Sequence, residues 1–413
     1  HIRREKATSN ICTSQSLLAI ISSFYAIYHG YKGLSAIAKR VVILRRHLEL
    51  CLHELGFELN QGIRFDSFDI YSTKSVEIHK SAIANGFNFR ILPLGADIDH
   101  AKGFGISLDE LSDINEINKI LNIIADVVGK KINFEKITIQ NVFKLDGIPL
   151  RKEKLLQQNV FKNYRSETDL MRYIFSLAEK DFSLVDGMIP LGSCTMKLNA
   201  AAELKPISWK NFSTLHPYAP KSQTKGFQKI ISDLEKWISE IVGLDAVSFQ
   251  PNAGSQGEFA GLLAIRSFFL SKNDVNRKKC LIPKSAHGTN PASAVMAGFD
   301  VVQIDCDNYG NIDFDDLSNK VNNLGSQIGA LMLTYPSTHG VFEINIRKIC
   351  DLIHSIGGFV YLDGANLNAQ VGLCKPGLYG VDVCHLNLHK TFCIPHGGGG
   401  PGVGPIAVSS KLK

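Results

Sequence analysis

The sequence predicts an α/β protein: a mainly parallel sheet of seven strands, preceded by a smaller α+β unit. Three observations carry this reading. From about residue 245 onward, apolar runs of strand length alternate with amphipathic stretches of helix length. Those runs are nearly continuously apolar, as strands covered on both faces are. Ahead of residue 140 the pattern is helical first and then mixed.

Residues 1 to about 60 read as helix, with Leu17, Leu18, Ile21, Tyr25 and Tyr28 recurring at three- and four-residue spacing, and Leu34, Ile37, Val41, Leu44, Leu48 and Cys51 continuing it. The most apolar segment, Leu17 to Ile27, is too short to span a bilayer and reads as a buried helix. Residues 65 to 140 mix strand-like runs (Phe87 to Leu92, Ile132 to Ile139) with a helical one (Ser107 to Ile124), and residues 140 to 165 read as a linker. The expected strands of the sheet are Ala246 to Phe249, Lys279 to Pro283, Val301 to Ile304, Ala330 to Tyr335, Phe359 to Leu362, Val381 to Leu386 and Pro405 to Val408. Helices are expected at Gln256 to Lys272, Phe314 to Val321 and Ile346 to Ile356.

At 413 residues the chain is too long for one ordinary core, so two or more domains are expected. A formal charge of +6, with no dense basic run carrying interleaved aromatics, argues against nucleic-acid binding. The nine cysteines are odd in number, widely spread and form no C-x-x-C pair, so neither a disulfide framework nor a metal site is expected, and a reducing compartment is. The chain opens on His1 without signal-peptide character and ends shortly after a glycine-rich loop, which reads as a piece of a longer product.

In parallel sheets ligands sit beyond the carboxyl ends of the strands, and the polar motifs of this chain lie there. Gln250 to Glu258 follows a strand and opens a long helix, so its small residues suit a phosphate cradle; an ordinary turn with Ser255 capping the helix reads equally well. His287, bracketed by Ala286 and Gly288, can lie flat on a planar ligand or simply satisfy loop carbonyls. Asp363 ends an apolar strand, where a carboxylate is costly unless it meets a cation, a ligand proton or a helix N-terminus. Lys390 ends another apolar stretch and is followed by Gly397 to Gly400. Taken alone it is one of 45 Lys and Arg residues, nearly all of which must be solvated. A dry lysine beside glycine-rich backbone is nevertheless what a Schiff-base cofactor requires. Phosphate turn, ring-facing histidine, strand-end aspartate and then lysine, in that order, describe a pyridoxal 5'-phosphate enzyme of the aspartate-aminotransferase architecture, fold type I.

Over these motifs the chain resembles the P-protein family of the glycine cleavage system. The resemblance runs through Met188 to Asn199, Pro251 to Glu258, Ser285 to Ala292, Tyr335 to Gly340, Tyr361 to Gln370 and His385 to Pro405, with His1 to Cys12 also similar. It implies that Lys390 carries the cofactor, Asp363 pairs with its ring nitrogen, His287 stacks on the ring, Ser255, Gln256 and His389 lie around the phosphate, and Ala365 is a further cofactor-binding residue. Residues 1–150 would be the end of a degenerate first half with its small α+β domain and no second active site. Residues 151–185 would be a linker and helix, and 186–413 the cofactor-binding large domain, with a small C-terminal domain beyond. The implied activity is decarboxylation of glycine, with transfer of the aminomethyl group to the lipoyl arm of the H-protein and release of CO2. Met188 to Asn199 and Gly397 to Gly404 are candidate walls of the lipoyl channel, and Cys194 reads as a packed cysteine. A homodimer or heterotetramer in bacterial cytoplasm or mitochondrial matrix is implied, with no membrane. As a fragment the chain is expected to bind the cofactor with weak or absent turnover. Two rival readings are another pyridoxal-phosphate enzyme of the same fold and a chain with no catalysis of its own.

Overall fold

The computed structural model describes residues 16–59, 62, 64–133, 151–182, 186–187, 200–395 and 403–413. The opening residues, most of the Ile132 to Ile139 run, Met188 to Asn199 with Cys194, and Gly397 to Gly400 lie outside these described residues. The chain divides into two compact units, Ile21–Lys180 and one containing Asp181–Lys413.

The first unit contains a three-stranded antiparallel sheet in the order β1-β3-β2, from β1 (Ser67–Tyr71), β2 (Arg90–Leu92) and β3 (Gly103–Ser107). Helices α1 (Ser16–Glu54), α2 (Ser75–Ala84) and α3 (Ile114–Val128) accompany it, followed by α4 (Val160–Asn163) and α5 (Glu167–Ala178). Leu48, Leu52, Ile70, Ile78, Phe104, Ile117 and Leu121 form its core. The long α1 is broken at Gly30, whose φ of 51° lies in the left-handed region; the Arg165 guanidinium occupies the place a side chain would take and donates to the Tyr28 carbonyl (2.9 Å).

Three expectations change here. The helix expected from Ser107 begins at Ile114, because Ser107 ends β3; Asp113 caps α3 by accepting from the Glu116 amide (2.9 Å). Neither β1 nor β3 is read from the sequence, since the Gly-Phe-Gly-Ile-Ser of β3 carries little strand propensity and is held by its two neighbours. The Leu17 to Ile27 segment is helical as expected but not buried: Leu18, Ile20 and Ile21 are exposed and only Ile27 is buried. Helical spacing defines an apolar stripe without naming what covers it.

The second unit opens with α6 (Ala201–Ser208), α7 (Lys210–Ser213) and α8 (Lys225–Val242). Its sheet has seven strands: β4 (Ala246–Ser248), β5 (Lys279–Pro283), β6 (Asp300–Ile304), β7 (Ile328–Thr334), β8 (Phe359–Gly364), β9 (Val383–Leu386) and β10 (Ile406–Val408), in the order β4-β10-β9-β8-β7-β5-β6. Only β10 runs antiparallel to its neighbours. Between the strands lie α9 (Gly254–Ser271), α10 (Thr289–Met296), α11 (Phe314–Leu324), α12 (Ile346–Ser355) and α13 (Pro376–Tyr379). The α/β expectation and its seven strands agree with this sheet.

Alternate residues of each strand serve opposite faces. Leu331, Leu333, Val360 and Leu362 pack with Ile238, Val242, Leu317, Ile349 and Ile353 of α8, α11 and α12. Ala330, Met332, Phe359 and Tyr361 pack with Leu262, Ile265, Phe269 and Ala294 of α9 and α10. Every residue of β8 is buried, so the strand has no wet face and its polar residues fall at its end. Leu331→Ala is expected to lower the stability of this unit by about 2–5 kcal/mol, read as a shifted urea midpoint. A loss below about 1 kcal/mol would contradict the two-sided packing of β7.

Candidate active site

Strand ends β7, β8 and β9 set three polar side chains abreast. The register pairs Thr334 with Asp363 and Asp363 with His385. They open into a cleft of about 560 Å³ that Ser255, His287, Ala365 and Lys390 also line. This is the scale of a small-molecule site, roughly 300–1,000 Å³.

Asp363 is buried, with its Oδ2 accepting from Asn290 Nδ2 (3.0 Å) and its Oδ1 from the Ala365 amide (3.0 Å). His385 Nε2 stands 3.2 Å from Oδ1. Burial drives the Asp363 pKa upward; His385, the Asn290 amide, the Ala365 amide and Lys390 outweigh it, and the net shift is downward. Asp363 is therefore the ionised member of the cluster. Burial lowers the pKa of His385, whose Nδ1 lies 2.9 Å from the Tyr361 hydroxyl.

Glu258 is a second buried carboxylate, on α9. Its Oε1 accepts from the Thr289 hydroxyl (2.8 Å) and its Oε2 from the Ser293 hydroxyl (2.9 Å), both on α10. Burial first, and the Asp363 charge second, push its pKa up to about 7. Two carboxylates sharing one site are thus driven apart, one ionised and one holding its proton well above the ordinary carboxylate range.

Helix α9 starts at Gly254, and its N-cap, Ala253, offers no side-chain hydrogen bond. Its first amides are therefore available to an anion in the cleft, and Ser255 sits within the first turn rather than capping it. A side chain at Gly254 would meet Asn387 Oδ1 at 2.3 Å and would push the Asn387 side chain from its place. Lys390 is 9% exposed. Its amine lies 3.3 Å from the Asn387 side-chain oxygen, in the amide orientation that also lets the Asn387 nitrogen donate to the Leu386 carbonyl.

The structure brings Ser255, His287, Asp363, Ala365 and Lys390 to one cleft. Gln256 and His389 are not among its lining residues: Gln256 points outward, its Oε1 accepting from the Asn252 amide (2.8 Å), and His389 is buried. His287 Nδ1 faces Thr289 rather than loop carbonyls, and Asp363 makes a turn contact to Ala365 rather than capping a helix. Glu258, Thr289, Asn290, Thr334, His385 and Asn387 went unassigned in the sequence. The signal available for His385 and Thr334 was their place at the ends of buried strands; nothing local marks Glu258 as buried. The lining residues fit a planar, phosphate-bearing carbonyl group with a protonated ring nitrogen: an anion seat at α9, a carboxylate at Asp363 and an amine at Lys390.

The sequence model of the glycine cleavage system P-protein family matches residues 1–124 and 133–413. The chain belongs to that family. It is 62% identical to a glycine dehydrogenase (decarboxylating) of Prochlorococcus marinus, over all of this chain and 43% of the relative. Identity to the Synechocystis sp. protein of the same description is 50%, over all of this chain and 42% of the relative. The chain thus spans less than half the length of these P-protein relatives. A solved glycine decarboxylase (P-protein), in inhibitor-bound form, matches 73% of this chain and 63% of its own at TM-score 0.52 and 17% identity, which shows a shared fold type I architecture.

A raised carboxyl pKa links stability to pH. Folded Glu258 keeps a proton up to about pH 7, whereas its ordinary value is 4.5. The associated stability is complete below the ordinary value and is lost as pH rises through about 7. Glu258→Gln, which stays neutral, should flatten that decline in urea midpoints measured from about pH 5 to about pH 8. Equal slopes in parent and variant would remove Glu258 as the protonated partner.

Proposed function

We propose that this chain holds pyridoxal 5'-phosphate and that the whole protein decarboxylates glycine, passing the aminomethyl group to the lipoyl arm of the H-protein and releasing CO2. The observation that carries the reading is one cleft shared by a nearly dry Lys390 amine, an ionised buried Asp363 and the uncapped start of α9. Membership of the P-protein family supports the substrate and the lipoyl acceptor.

When bound, pyridoxal phosphate supplies an electrophilic carbonyl and a ring that accepts the electron pair left as CO2 departs. Lys390 would hold the group covalently through its amine, which the Asn387 side chain positions. Asp363, kept ionised by its donors, would hold a proton on the ring nitrogen and so preserve the ring as an electron sink. The α9 amides and Ser255 would receive the phosphate, and Gln256 and His389 stand outside the lining. His287 would stack on the ring, and Ala365 would be among the residues that bind the group. The two-domain course, with residues 1–150 as the end of a degenerate first half and 186–413 as the catalytic large domain, is part of the same reading, as is assembly into a homodimer or heterotetramer. Among the described residues no helix is long and apolar enough to cross a membrane.

The test uses the whole protein. Pyridoxal phosphate should give a visible absorbance that Lys390→Ala abolishes. Glycine-dependent exchange of labelled bicarbonate, stimulated by lipoylated H-protein, should fall on the order of 10⁴-fold in the same variant. An absorbance that persists in Lys390→Ala would refute the lysine assignment, and absence of exchange in the parent protein would refute the activity.

A further inference from the structure

We propose that Glu258, acting through Thr289, decides which ring nitrogen of His287 carries the proton, and so whether His287 meets the cleft as a donor or as an acceptor. Three groups stand in line: Glu258 Oε1 lies 2.8 Å from Thr289 Oγ1, which lies 2.8 Å from His287 Nδ1. A threonine hydroxyl has one proton to give. With Glu258 ionised, both its oxygens take hydroxyl protons, from Thr289 and from Ser293. Thr289 then offers His287 only a lone pair. That favours a proton on Nδ1 and a bare Nε2, against the Thr289 backbone amide, which donates toward Nδ1 and favours the other tautomer in either state of Glu258.

With Glu258 protonated on Oε1, the order reverses along the same heavy atoms. The carboxyl proton goes to Thr289 Oγ1, and the hydroxyl turns its own proton toward Nδ1. The Thr289 backbone amide, 3.2 Å from Nδ1, supports that arrangement. His287 then keeps its proton on Nε2. Among the three side chains the relay needs no displacement, because the two 2.8 Å distances suit either direction of donation.

Glu258 is placed to choose between the states. It is faced by Asp363 and Tyr361 from β8, by His385 Nε2 at 3.9 Å from β9, and by Thr289, Asn290 and Ser293 from α10. Burial and the Asp363 charge bring its pKa to about 7, so both states are populated near neutrality. The proton count closes. When a ligand in the cleft takes the Nε2 proton, the Glu258 proton moves to Thr289 and the Thr289 proton to Nδ1. One proton leaves the chain, the ring stays neutral and Glu258 ends ionised; the reverse steps return it. Glu258 is thus a positioning residue for His287. Its use at a cofactor ring rests on the reading given above, whereas the tautomer is a property of the chain itself.

The experiment reads the tautomer directly. The whole protein, free of cofactor and labelled with ¹⁵N in histidine, is followed by long-range ¹H–¹⁵N correlation, with His287 assigned by its loss in His287→Gln. Within the neutral ring of the parent protein the balance should move from Nε2–H toward Nδ1–H between about pH 7 and about pH 8.5, as Glu258 loses its proton, a reversal of the tautomer balance. Glu258→Gln should abolish the pH-dependent reversal. Thr289→Val should hold the Nε2–H form at both pH values, and Thr289→Ser should restore the reversal. One tautomer throughout the range in the parent, or a reversal that survives Thr289→Val, would overturn the proposal. Pyridoxal phosphate absorbance is recorded separately for each protein. A reversal without cofactor binding supports the relay and counts against the cofactor reading alone.

Discussion

A carboxylate held ionised at the end of a strand with no wet face is the constraint on which the rest of this site depends. Asp363 ends β8, every residue of which is buried, and an unpartnered charge there would cost several kcal/mol. The fold answers with donors from three places: Asn290 on α10, His385 on the neighbouring strand, and the backbone of its own turn at Ala365. None of these can be moved without leaving a buried charge exposed to apolar surroundings. The strand order β9-β8-β7 and the seating of α10 over the sheet are therefore requirements of the site as much as of the core.

The same constraint reaches the second carboxylate. Glu258 lies close enough to Asp363 that the two cannot both be comfortably ionised, and its hydroxyl donors do not offset that repulsion and its burial. The outcome is a division of labour set by environment: Asp363 carries charge, and Glu258 stores a proton. Division of this kind, in which burial and a like charge push two pKa values apart, is how one pocket holds an acid and a base together. Here it joins the floor of the cleft, at Asp363, to its wall, at His287, through Asn290 and Thr289.

Two features of the cleft depend on close backbone approach rather than on charge. Gly254 lets the start of α9 reach the Asn387 side chain, which in turn holds the Lys390 amine. The absence of a capping side chain at Ala253 leaves the helix amides directed at the cleft. Anion seat and amine are thus positioned by one contact between a helix start and a strand end.

The sheet was legible because its strands are short apolar runs bounded by polar motifs, and periodicity survives in one dimension. Lys390, Asp363, His287 and Ser255 were legible because they stand where strands end, and their order along the chain made a joint pattern. The exposed start of α1 and the glycine-rich β3 were not, since burial and pairing there depend on neighbours distant in sequence. Glu258 is the clearest case. Its sequence position, five residues beyond a strand-to-helix turn, is that of any solvated helical glutamate. Only the packing of α9 against α10 and the sheet places its carboxyl beside Thr289, Ser293 and Asp363. Sequence alone determined the order of elements and the residues at strand ends, because hydrophobic period and chain order are local properties. Tertiary structure decided which polar groups share a buried space, because desolvation and proton sharing depend on distances that the chain closes only when it folds.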